Sequence, residues 1–197
     1  MPYAIDFEEI ERKLFIIEQL AYASNDYCRI NGLSLTASKL ASSRGDYRLS
    51  ATLSERWNGY YGQLTHYLSN NIIDCAIKTR IAQDFIQKHD DIDIADIDRR
   101  ACNDMLLGKF ADGESLASVR ESCNKIVHAT RADLKWQGNG DQANDGYEFW
   151  DGSFLLYGDK HRAQWQLQLF IKEWSIAMRQ FHSILKEEVD WWNVWGL

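Results

Sequence analysis

Arg120, Asn124 and His128 stand four residues apart in the stretch SLASVRESCNKIVHATR, residues 115–131. On a helix, residues four apart lie about one turn above one another, so this spacing predicts a cation, an amide and a titratable imidazole along one stripe. Arginine and imidazole together suit phosphodiester chemistry. The guanidinium can hold a phosphate and stabilise charge as it develops, and the imidazole can move protons near neutral pH. Asparagine can orient either partner by hydrogen bonding. The same residue types also border the apolar face of any surface helix, so spacing alone leaves a phosphate site and a solvated helix flank both open.

The stripe needs a helix beneath it. Leu116, Val119, Cys123, Ile126 and Val127 fall on one apolar face at about 100° per residue, with Thr130 adding a methyl group, and predict a helix over 115–131. Upstream, Asp6 and Glu9 have capping-box spacing, and Ile10, Leu14, Ile17, Ala21 and Cys28 continue into a long amphipathic helix that should stop near Gly32. A second helix, rich in tyrosine and carrying Gly59 and Gly62, is expected at about 53–68. A third follows through Ile73, Ala76, Ile77, Ile81 and Phe85. The aspartate-rich run 90–98 lacks the glycine and terminal glutamate of a calcium loop, and reads as a solvated loop whose aspartates cap the next helix.

Beyond the stripe, 133–152 reads as a long polar loop bearing glycines. Residues 154–157 and 165–169 then read as two short strands joined through 158–163. That hairpin should pack on the bundle and cover the end of the stripe helix, with His161 and Arg162 at its tip. Trp174, Met178, Phe181 and Leu185 mark a last helix. Trp191, Trp192 and Trp195 make an aromatic tail at 190–197, expected to dock on its own bundle or on a dimer mate.

Composition sets the frame. The 197 residues are 45% hydrophobic and contain a single proline, Pro2. This predicts one domain over 1–197, mainly all-α: a helical bundle with a small C-terminal β-hairpin insertion, at about 133–170, before the last helix. Cys28, Cys75, Cys102 and Cys123 are widely spaced, which fits reduced core thiols in a cytoplasmic protein and argues against structural zinc. No secretory leader and no membrane span are expected. The net charge of −7 excludes a protein that coats DNA. Between Arg99 and Lys135, however, seven Lys or Arg face five Asp or Glu, so a local RNA site is compatible with the charge. Phosphate-loop, zinc-helix and nucleophile-elbow motifs are missing.

Arg120-Glu-Ser-Cys-Asn124-Lys-Ile-Val-His128-Ala129, late in a chain expected to be helical, resembles the signature helix of the HEPN superfamily. The resemblance implies an all-α fold and a metal-independent endoribonuclease, of the kind found in toxin–antitoxin and antiphage defence systems, with no cofactor. It also implies a homodimer whose motif helices face a shared cleft. Arg120 would contact the scissile phosphate, His128 would take part in proton transfer, and Asn124 would match the motif's polar position. Seven residues separate Arg120 from His128, one more than that motif usually has. The alternative of another class is a non-catalytic helical module that binds RNA or a protein partner.

Overall fold

The computed structural model describes residues 5–89, 92–139, 146–160 and 163–191. Helix α1 (Phe7–Asn31) starts where the sequence places it: the Asp6 carboxylate accepts the Glu9 backbone N–H at 2.9 Å. It stops at Gly32, whose φ of 56° is a left-handed cap that glycine adopts without strain. Its buried face is the expected one, Ile10, Leu14, Ile17, Ala21 and Cys28. After the short α2 (Leu35–Ser43), α3 (Tyr47–His89) runs unbroken for 43 residues where two helices were expected. Gly59 and Gly62 do not interrupt it, because both lie on its exposed side with nothing packed against them. Asp93 caps α4 (Ile94–Cys102), accepting the Ala95 N–H at 2.9 Å, which is the capping role expected of the aspartate run, but residues 94–98 of that run are the first turns of the helix rather than loop, with Ile94 and Ile97 buried.

The second half of the chain corrects the all-α expectation. Strands β1 (Gly108–Phe110) and β2 (Ser115–Leu116) precede α5 (Val119–Val127). Strands β3 (Arg131–Asn139), β4 (Tyr147–Lys160) and β5 (Ala163–Phe170) follow it, and β5 runs directly into α6 (Ile171–Glu188). The five strands form one antiparallel sheet in the order β2-β1-β5-β4-β3. The fold is therefore mixed α and β, and the hairpin of the sequence reading is the centre of a sheet. Glycine-rich polarity hid β3 and the start of β4, where a loop was expected. Leu134 and Trp136 are apolar among polar neighbours, a short period-two signal further blurred by a register shift between them.

The sheet and the helices share one core. Trp150 of β4 is buried against α1, its backbone N–H donating to Ser24 Oγ at 3.0 Å. Trp174 of α6 donates to Ser122 Oγ of α5 at 3.0 Å, which fixes the motif helix to the last helix. Trp191 packs edge-on against Phe7, with ring centroids 5.1 Å apart, and donates to the Leu185 carbonyl at 3.1 Å. That much of the aromatic tail docks on its own bundle. Trp192 and Trp195 lie outside the described residues, as do His161, Arg162 and residues 140–145. All four cysteines are free and buried. Among the described residues no helix is long and apolar enough to cross a membrane.

Candidate functional site

The motif helix is shorter than its apolar period suggested. Ser118 caps it by accepting the Glu121 N–H at 3.0 Å, and His128 is the residue that ends it. Leu116 keeps the period because it is buried from β2, so the stripe reads as helical although its first member is not on the helix. Asp98 of α4 holds the helix start. Its carboxylate accepts Ser118 Oγ–H at 2.5 Å, the Val119 N–H at 2.7 Å and the Arg120 N–H at 3.3 Å.

This geometry separates the predicted residues. Arg120 lies in the first turn and His128 caps the last, so eight residues of rise put them about 12 Å apart along the axis. The Arg120 guanidinium turns to α3, where it reaches Asp84 Oδ1 and Gln87 Oε1, each at 3.4 Å. It does not line the cavity that Asn124 and His128 share. That cavity is about 310 Å³ and is completed by Glu121, Lys125, Asp159 and Trp165. His128 is exposed there, while the Asn124 amide donates to Glu121 Oε2 at 3.4 Å.

Lys125 and Trp165 are the residues that spacing did not single out. Lys125 Nζ sits 4.6 Å from the Trp165 ring centroid and 5.3 Å from that of Phe110, and pairs with Glu121 at 3.4 Å. Trp165 takes this position because its cross-strand partner is Gly158. A Cβ at Gly158 would fall 2.2 Å from the indole Cζ2, so only a residue without a side chain lets the ring lie across β4. On the other side of Trp165 and Asp159 a second cavity of about 400 Å³ continues, lined also by Thr130, Arg131 and Tyr157. The Arg131 guanidinium stands 4.9 Å from the Tyr157 ring centroid and pairs with Asp133 at 2.5 Å.

The two cavities share Asp159 and Trp165 as lining and so adjoin across these two side chains, together making a cleft at the end of α5 and the β4–β5 hairpin. Cations and aromatic rings alternate in it: Lys125 on Trp165, then Arg131 on Tyr157, with His128 at the helix end. Such an arrangement can hold a phosphate backbone, and a base can stack on Trp165 or Tyr157 where Lys125 or Arg131 swings from the ring to a phosphate. Asp159, Glu121 and Asp133 keep the cleft from being strongly basic. Among the described residues no group of three or more metal-ligating side chains forms.

No family model, no curated protein and no solved structure matches this chain.

Proposed function

We propose that the protein binds single-stranded RNA in the cleft between α5 and the β4–β5 hairpin and does not cleave it. The observation that carries this reading is the alternation of Lys125, Trp165, Arg131 and Tyr157 along one open surface. Base–aromatic stacking contributes about 1–3 kcal/mol per base and tolerates any sequence, while two or three cations track the backbone. Arg120 takes no part: it is turned to Asp84 and Gln87, away from His128. The cleft is built from one chain, so binding needs no homodimer through the motif-helix face.

Fluorescence anisotropy with a labelled oligoribonucleotide tests the proposal. Trp165→Ala and Lys125→Ala should each weaken binding by fivefold or more, Arg120→Ala by less than twofold, and the RNA should remain intact. With two or three phosphates neutralised, the logarithm of affinity should fall against that of salt with a slope of about −1.4 to −2.1. A second reading, cleavage, draws on Asn124 and His128 sharing one cavity. Divalent-independent cleavage lost in both Arg120→Ala and His128→Ala, with the fold intact, would replace the binding reading with the catalytic one.

A further inference from the structure

A cavity of about 780 Å³ lies where the end of α1, the body of α2 and the start of α3 meet. Its apolar lining is aliphatic: Ile30, Ala37, Leu40, Ala41, Leu49 and Leu53, with no aromatic ring among them. Two of these side chains are unusually bare for their type, Ile30 at 74% and Leu49 at 47% exposure. Three arginines also line it, Arg29, Arg44 and Arg56, against one carboxylate, Asp46. In a chain of net charge −7 this is a local reversal of sign.

The charged groups differ in how far they are already engaged. Asp46 is held at the start of α3, accepting the Leu49 N–H at 3.1 Å. Arg29 pairs with Asp26 at 3.0 Å. Arg56 donates one N–H to the Asn31 carbonyl, which fastens α3 to the end of α1 and leaves its other donors over. Arg44 makes no side-chain hydrogen bond or ion pair among the described residues. The volume falls within the range of small-molecule sites.

We infer that this groove binds an amphiphilic anion, a phosphate or carboxylate head carried on an aliphatic chain. The head is held by Arg44 and the spare donors of Arg56, as a guanidinium fork holds an oxyanion. The chain lies along Leu40, Leu49 and Leu53 and removes exposed apolar surface from water. A nucleotide fits less well, because a base has no ring to stack on here.

Isothermal titration of the full chain with octyl phosphate, octanoate, inorganic phosphate and octanol tests the inference. At least one of the two amphiphiles should bind saturably at one site, and at least tenfold more tightly than phosphate or octanol. Which of them binds more tightly identifies the preferred head. Arg44→Glu should weaken that binding by tenfold or more without moving the thermal midpoint, since Arg44 is exposed. Leu49→Ser should weaken it through the chain and leave inorganic phosphate unaffected. Amphiphile binding no tighter than that of octanol or phosphate, or equal binding by Arg44→Glu and wild type, would overturn the inference.

Discussion

His182 offers a test of the core that does not depend on any ligand. It is buried on α6, and its Nε2 lies 2.9 Å from Thr79 Oγ1 on α3. The Thr79 hydroxyl donates its one proton to the Cys75 carbonyl at 2.8 Å, so the imidazole Nε2–H is the donor to Thr79. Phe7 and Phe181 pack against the ring, and Glu11, Arg179 and Lys186 surround it from α1 and α6. Burial, helped by the charge of Lys186, pushes its pKa down to about 3 from 6.5. The unfolded imidazole takes up a proton below pH 6.5 that the folded one cannot hold. Stability from this group is therefore complete above pH 6.5 and is lost as pH falls towards 3, with a slope of about 1.4 kcal/mol per pH unit. Between pH 6.5 and 4.5 the loss is on the order of 2 kcal/mol. Urea unfolding at half-unit intervals from pH 7.5 to 4.5 measures it. His182→Gln, which keeps an amide to meet Thr79, should be less stable at pH 7.5 but should flatten the slope. A wild-type slope near zero in this window, or the same slope in the variant, would refute the argument. The half-buried Glu9 carboxylate, held at about 2 by Lys13 and Lys78, loses its contribution as pH falls from 4.5 towards 2, mainly below this window.

Two further outcomes follow from the site's supports. Gly158→Ala should eject the Trp165 indole, because the new Cβ has no room beneath it, destabilising the fold by about 1–3 kcal/mol and lowering the thermal midpoint by several degrees. The same variant should bind RNA as poorly as Trp165→Ala does. Asp98→Ala should destabilise by about 1–3 kcal/mol, measured by urea unfolding, because it strips three donors at the start of α5 of their acceptor. Asp98→Asn, which retains one acceptor oxygen, should recover part of that loss.

The legible parts of the chain were those where local chemistry and packing agree. Asp6 and Gly32 bound α1 because a side-chain cap and a left-handed glycine are local devices. The stripe through Trp174, Met178, Phe181 and Leu185 reads as α6 because one face alone is buried. The sheet was hidden for a different reason. Gly152 and Gly158, which read as loop residues, are strand positions in β4, and Gly158 is there to receive an indole from β5. That contact exists only across the strand pair and has no signature along the sequence. The site was half legible. Asn124 and His128 do meet in one cavity, but helix rise carries Arg120 away from them and Asp84 with Gln87 draws its side chain aside. Lys125 lay between the chosen residues, and its three-residue spacing to His128 was the available signal.

The most direct measurement of the central claim is photocrosslinking of the intact protein to an oligoribonucleotide carrying 5-bromouridine, with the attachment sites read by mass spectrometry. RNA held in the cleft should crosslink at Trp165 or Tyr157, where bases would stack. Crosslinks confined to other surfaces, or none under conditions where the RNA is bound, would contradict it.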